Sequence, residues 1–101
     1  FASNTLNTML SYVPMPGDKD MGDFLMDCSY GLADVCNYPK EEVGKILKVI
    51  LKKGDFEEYY FYSSNEEGIF IEIDENCKNK NGITSPEYFI GSSKFVLKLC
   101  K

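Results

Sequence analysis

The spacing of the apolar residues changes at Gly54, and this change constrains the fold more than any other feature of the sequence. Before Gly54, apolar residues recur every three or four positions, which is the period of an amphipathic helix. After Gly54 they alternate with polar residues, as in a strand with one buried face. The sequence therefore predicts an α+β domain in which N-terminal helices cover one face of an antiparallel sheet built from the C-terminal half.

The first half of the chain predicts about three helices. The first carries an apolar stripe of Leu6, Met9, Leu10 and Val13. The second carries Met21, Phe24, Leu25, Cys28, Leu32 and Val35. The third carries Val43, Ile46, Leu47, Ile50 and Leu51. Pro14 and Pro16 are expected to end the first helix, Asp18 or Asp20 to cap the second, and Gly54 to cap the end of the third.

The second half predicts a sheet of three or four antiparallel strands. Residues 57–63 and 69–74 read as a hairpin closed at Gly68, and residues 88–90 and 94–100 as two further strands. In the second strand the isoleucines Ile69, Ile71 and Ile73 should face the core. The polar stretch 76–86 predicts a loop, and the length of 101 residues fits one domain spanning 1–101.

The charge balance excludes several functional classes. There are sixteen acidic residues against eleven basic ones, for a net charge of −5, and every basic residue is Lys. The absence of Arg and the negative field argue against nucleic-acid binding. The absence of His removes the commonest general base and transition-metal ligand. No apolar run approaches the ~20 residues of a membrane span, so we expect a soluble protein without membrane contact.

Four cysteines leave the redox state open, because Cys28, Cys36, Cys77 and Cys100 allow three pairings and fit no zinc pattern. On one continuous helix Cys28 and Cys36 would lie about 12 Å apart, too far for a bridge. We therefore expect reduced thiols and a cytoplasmic protein, with a disulfide-bonded secreted domain as the alternative. The first residue is Phe1 and not Met, which suggests that residues upstream were lost and leaves the compartment undecided.

No catalytic or metal-binding motif stands out. The chain has no nucleophile elbow or phosphate-binding loop, and a cysteine nucleophile would lack the usual histidine base. The acids near Asp18, Asp20 and Asp23, and those in the stretch 74–82, do not alternate as a calcium-binding loop requires. We predict no cofactor, no metal and no enzymatic activity, with a weak carboxylate-based enzyme as an alternative.

A row of acids on the second helix is the first candidate for a partner-binding surface. It consists of Asp20, Asp23, Asp27 and Asp34. These residues keep to one side of a helix whose other side is apolar, and the first three lack a Lys three or four residues away within that helix. The alternative interpretation is a charged face that simply meets water.

The sheet offers a second candidate surface. On the first strand Glu58, Tyr60 and Tyr62 share a face, and on the second Phe70, Glu72 and Asp74 lie opposite the isoleucines. Aromatic side chains among carboxylates are suited to anchoring a basic protein. The alternative is that these aromatic groups pack across strands or are covered by another segment of the chain.

These features predict a protein that acts by binding a basic protein. The leading hypothesis is a small acidic inhibitor, such as an immunity protein that neutralises a basic toxin or nuclease by covering its active site. It rests on analogy of size, charge and missing catalytic groups. The alternative is a secreted, disulfide-stabilised module or effector that binds a cell-surface protein.

Overall fold

The computed structural model describes residues 2–13, 19–30 and 36–100, and within them three helices precede five strands. The helices are α1 (Ala2–Ser11), α2 (Met21–Ser29) and α3 (Asn37–Lys53). The strands are β1 (Glu58–Asn65), β2 (Gly68–Glu75), β3 (Ile83–Thr84), β4 (Tyr88–Ile90) and β5 (Ser93–Cys100). The predicted α+β class with N-terminal helices and a C-terminal antiparallel sheet is confirmed.

The helices follow the predicted apolar stripes over shorter lengths. α1 ends at Ser11, so Val13 lies beyond it and is exposed. α2 begins after Asp20, whose carboxylate accepts a hydrogen bond from the Asp23 N–H at 2.9 Å, the geometry of an N-cap. α2 ends at Ser29, and the predicted stripe residues Leu32 and Val35 lie outside the described residues.

The third helix matches its prediction most closely. α3 buries Val43, Ile46, Leu47 and Leu51 on one side. Its last carbonyls are capped by the N–H of Gly54, which bonds Leu51 and Lys52. Lys52 and Lys53 occupy the last turn, where positive charge stabilises the negative end of the helix dipole.

The sheet is antiparallel, with the order β2-β1-β5-β3, and β4 also pairs with β5. It has five strands, one more than the upper predicted number, because part of the expected loop forms the two-residue strand β3. β3 pairs Ile83 with Leu99 and Thr84 with Lys98 of β5. β5 is therefore the strand that holds the sheet together, since it pairs with three others.

A bulge in the β1–β2 hairpin changes which side chains face the core. The register shifts between Ser63, which lies opposite Ile71, and Ser64, which lies opposite Ile69. Phe70 falls at this irregularity and packs edge-on against the buried ring of Phe95. The prediction that Phe70 points away from the core is therefore wrong, and so is the prediction that Ile69 points into it, since Ile69 is 55% exposed.

The core lies between the helices and one face of the sheet, here called the inner face. The sheet contributes Tyr59, Phe61, Ile71, Phe95, Leu97 and Leu99 to it. The helices contribute Leu6, Met9, Met21, Leu25, Val43 and Leu47, among others. The opposite, outer face of the sheet carries a smaller separate cluster of Tyr60, Cys77 and Cys100, with Tyr62 half-buried against it.

All four cysteines are paired, so the expectation of reduced thiols is wrong. Cys28 in α2 bonds to Cys36, and their Cα atoms are 4.8 Å apart. The bond forms because α2 ends at Ser29 and Cys36 lies at the start of the next helix, so the two residues do not share one helix axis. Cys77 after β2 bonds to Cys100 at the end of β5.

Replacing Ser63 by alanine is expected to raise the free energy of unfolding by about 1 kcal/mol, because Ser63 is fully buried and its hydroxyl has no hydrogen-bond partner among the described residues. Ser85 provides the matched control. Its hydroxyl is also buried but accepts a hydrogen bond from the Leu97 N–H at 3.0 Å, so Ser85→Ala should lower stability by about 1 kcal/mol or more. Urea unfolding of both variants measures the two changes. Equal destabilisation by both would contradict the assignment of an unsatisfied hydroxyl.

Candidate functional site

The structure separates the predicted partner-binding residues into two sets on different layers. Those on α2 lie in the helical layer. Those on β1 and β2 that point outward, Glu58, Tyr60, Tyr62, Glu72 and Asp74, lie on the outer face of the sheet. The prediction that both sets act in partner binding stays a prediction, and their described members lie on different layers of the domain.

The acids on α2 are partly engaged in local contacts. Asp20 serves as the N-cap of the helix. Asp27 forms an ion pair with Lys19, which precedes the helix and also lies over the Phe24 ring at 5.1 Å from its centroid. Asp23 is exposed in the first turn, where negative charge is favoured by the helix dipole. Asp34 lies outside the described residues.

On the outer face, the two acids of β2 are engaged by the chain itself. The Tyr60 hydroxyl donates a 2.5 Å hydrogen bond to Glu72, and Lys78 contacts the same carboxylate oxygen at 3.2 Å. These two hydrogen bonds, that of Tyr60 first, lower the pKa of Glu72. Asp74 accepts hydrogen bonds from the backbone N–H groups of Cys77 and Lys78, both at 3.1 Å, which lower the pKa of its carboxyl.

Tyr60 of the outer face is covered by the disulfide that follows β2, and Tyr62 lies half-buried against the same cluster. The disulfide between Cys77 and Cys100 packs on Tyr60, which is only 9% exposed, and burial together with the Glu72 contact raises the pKa of its hydroxyl. Lys80 pairs with Glu58 at 2.6 Å. Because Tyr60 is already desolvated by its own chain, it adds little as an anchor for another protein.

A recess at one end of the molecule brings an aromatic side chain together with carboxylates, the combination that the sequence predicts for the sheet. Here the C-terminal end of α2 meets the β1–β2 turn and the β4–β5 turn around a space of about 500 Å³. Its lining comprises Met26, Ser29, Tyr30, Asn65, Glu66, Glu67, Gly91, Ser92 and Ser93. We call it the tip recess. No lysine is among these lining residues, so the described part of the recess has two negative charges and no positive one.

Hydrogen bonds of Asn65 join the segments that line the tip recess. The Asn65 amide donates a hydrogen bond to the Ser29 carbonyl at 3.3 Å, which joins the β1–β2 turn to the end of α2. The side-chain Oδ1 of Asn65 also accepts a hydrogen bond from the Glu67 N–H at 2.9 Å and fixes the turn. Tyr30 lies at the edge, two residues after the disulfide-bonded Cys28, with its side chain 75% exposed.

Sequence reasoning missed the tip recess because its members share no period or motif. Glu66 and Glu67 fall in a turn, and Tyr30 follows the last residue of α2. Only the packing of the hairpin against the helix end brings them together. The sequence does contain one feature that points to this surface, the pair of adjacent glutamates in a turn without a nearby lysine.

Comparison with protein-family models, with curated proteins and with solved structures found no match. Among the described residues, no group of three or more Asp, Glu or Cys side chains is placed to hold a metal ion. Of the three described helices, none has the length and apolar character needed to cross a bilayer.

Proposed function

We propose that this domain is a disulfide-stabilised module that binds a basic protein through the tip recess. The observation that carries the proposal is the highly exposed Tyr30 beside the half-buried Met26, in a recess lined by Glu66 and Glu67 and by no described lysine. Binding is the proposed activity, and the domain is proposed to perform no bond chemistry of its own.

Each part of the recess suits a role in binding. Tyr30 offers a large, rigid aromatic group, the type of side chain that most often anchors a protein interface. Met26 supplies a flexible apolar contact that adapts to a partner's shape. The carboxylates of Glu66 and Glu67, supported by the net charge of −5, favour encounter with a positively charged surface. The hydrogen bonds of Asn65 limit the ordering that binding would require.

The two disulfides support a secreted module over a cytoplasmic one. Disulfides persist in oxidising compartments and are rare in the cytosol. Both bonds are positioned to stabilise the fold, one between α2 and α3 and the other between the segment after β2 and the end of β5. We therefore place the proposed activity outside the cytosol, as for a module or effector that binds a cell-surface protein.

An inhibitor of a basic toxin or nuclease is a narrower form of the same proposal. In that form Glu66 and Glu67 would occupy the place of substrate phosphates in the partner's active site. The immunity-protein version has less support, because Glu58 and Glu72 are paired with lysines and Asp74 is bound to backbone N–H groups.

A capture experiment with immobilised variants tests the proposal. The wild-type domain, Tyr30→Ala and the double variant Glu66→Gln/Glu67→Gln are exposed to the extracellular fraction of the source, and captured proteins are purified and their affinities measured. We expect Tyr30→Ala to weaken binding at least tenfold, the effect of losing an anchor. The double variant should slow association and reduce its dependence on salt.

Phe89→Ala is the matched control, because Phe89 is also strongly exposed, at 60%, but lies on β4 outside the recess lining. It should bind as the wild type does. Binding that is unchanged in Tyr30→Ala, or that falls equally in Phe89→Ala, would remove the tip recess from the interface.

A further inference from the structure

The segment 76–82, which connects β2 to β3, carries three exposed asparagines, Asn76, Asn79 and Asn81. Asn81 is the one that precedes a glycine, Gly82. The amide carbon of an asparagine side chain lies within reach of the next main-chain nitrogen, and attack by that nitrogen closes a five-membered ring. Glycine hinders the attack least, because it has no Cβ and permits the widest range of backbone conformations. The sequence of the segment therefore singles out Asn81 for this reaction.

At the other two asparagines the fold engages the nitrogen that would attack. The N–H that follows Asn76 belongs to Cys77 and donates a hydrogen bond to the Asp74 carboxylate at 3.1 Å. The N–H that follows Asn79 belongs to Lys80 and donates to the Cys77 carbonyl at 3.1 Å. Each of these bonds must break before the nitrogen can react, and this opposes ring closure at both positions.

At Asn81 the attacking nitrogen is not engaged. The Gly82 N–H and the Asn81 side chain form no hydrogen bond with any residue that the structure describes. Both residues are exposed, so solvent base and water reach them. The rotation that closes the ring occurs about the Cα–C bond of Asn81, which lies outside the helices and strands. Sequence and structure thus favour the reaction at the same position.

We propose that Asn81 is a site of spontaneous deamidation. The Gly82 nitrogen loses its proton to solvent base and bonds to the Cγ of Asn81, and the side-chain amide leaves as ammonia. Water then opens the resulting succinimide at either of its two carbonyl carbons. One opening gives aspartate, and the other gives isoaspartate, in which the main chain runs through the former side chain. Overall, one amide and one water become one carboxylate and one ammonium ion.

The isoaspartate product acts on β3. It adds one carbon, about 1.5 Å, to the main chain. The segment that must absorb this length is held at Cys77 by the disulfide to Cys100 and at Ile83 by pairing with Leu99. β3 has only two residues, so its pairing with β5 yields before the disulfide does. This modification is independent of the proposed protein-binding function, and each can fail without the other.

Mass mapping of the disulfide-bonded domain tests the site. After incubation in mildly alkaline buffer made with ¹⁸O water, the protein is reduced and cleaved after glutamate, which releases residues 76–87 as one peptide with all three asparagines. Fragment masses should show oxygen incorporated at Asn81 at least about tenfold faster than at Asn76 or Asn79, since glycine presents no Cβ to the attack. The rate should rise with pH, because the nitrogen must lose its proton. Equal rates at Asn81 and Asn79, or no reaction at Asn81, would overturn the proposal.

Lys80→Gly is the matched control for the role of the fold. It creates a second asparagine–glycine pair at Asn79, whose following N–H still has the Cys77 carbonyl as its partner. In the folded variant Asn79 should react more slowly than Asn81, and in the reduced, denatured variant the two should react at similar rates. Equal rates in the folded variant would show that the hydrogen bond gives no protection.

The two products separate the effect of charge from that of chain length. Asn81→Asp reproduces the aspartate product, and its NMR spectrum should keep the amide signals of Ile83 and Thr84 at their wild-type positions. The isoaspartate form, purified by chromatography, should shift both signals because β3 leaves β5. Unshifted signals in that form would contradict the proposed effect on β3.

Discussion

Replacing Cys77 and Cys100 together by alanine is expected to lower the free energy of unfolding by about 3 kcal/mol. The bond closes a loop with a sequence separation of 23, and loss of that constraint increases the entropy of the unfolded chain by an amount of this size. A domain of this kind has a total stability of only about 5–15 kcal/mol, so the variant loses a large part of it. Urea unfolding at neutral pH measures the change.

The other disulfide gives the internal comparison. Cys28 and Cys36 have a sequence separation of 8, so Cys28→Ala/Cys36→Ala should cost about 1 kcal/mol less than the first pair. Thiol titration of the denatured wild-type protein should find no free thiol. Four free thiols, or a loss below about 1 kcal/mol in the Cys77/Cys100 variant, would contradict the assignment of structural disulfides.

Loss of the Cys77–Cys100 bond should also be visible at Tyr60. The disulfide packs on this ring and holds the segment after β2 against the outer face. Without it, Tyr60 becomes more exposed, and the pKa of its hydroxyl should fall toward the ordinary value because burial is the largest cause of its rise. An ultraviolet titration of tyrosine at alkaline pH, with Tyr60→Phe as reference, follows this change.

The helices and the hairpin could be predicted because they depend on local periodicity. α3 buries the predicted stripe of Val43, Ile46, Leu47 and Leu51 because spacing along the chain decides which side of a helix is apolar. Gly68 closes the hairpin turn as predicted, with a φ of 121° that favours glycine. No distant residue needed to be known for either prediction.

The orientation of single side chains on β2 could not be predicted, since it depends on the bulge opposite Ser63 and Ser64. One extra residue on a strand reverses the alternation, so Phe70 enters the core and Ile69 leaves it. The pattern of a single strand predicts strict alternation. The irregularity is visible only in the pairing of two strands.

The surroundings of the candidate surface residues could not be predicted for a related reason, which is that contacts between distant residues determine which groups remain available. Lys19 pairs with Asp27 from outside α2, and helix spacing of three or four residues does not indicate this contact. Lys78 reaches Glu72 from the segment after β2. The expectation of reduced thiols is wrong because the separation of Cys28 and Cys36 on one continuous helix does not apply where α2 ends at Ser29.

Gly82→Ala is expected to lower the free energy of unfolding by about 2–3 kcal/mol, because this glycine lies against the central strand. A Cβ at Gly82 would come within 2.9 Å of the Cys100 sulfur and closer still to the backbone carbonyl of Leu99. Leu99 is held by pairing with both Tyr59 of β1 and Ile83 of β3, so its backbone cannot move aside without breaking hydrogen bonds. Urea unfolding gives the loss.

Gly44→Ala is the comparison at a glycine that no backbone approaches closely. Its Cβ would meet only the Tyr59 hydroxyl, at an ordinary contact distance of 3.7 Å, and alanine is the better helix former, so stability should rise by about 0.5–1 kcal/mol. A Gly82→Ala variant within 0.5 kcal/mol of the wild type would show that β3 shifts away from β5 without cost. The opposite signs expected for these two glycines come from the close approach of β5 at Gly82, and from the open space and the helical position at Gly44.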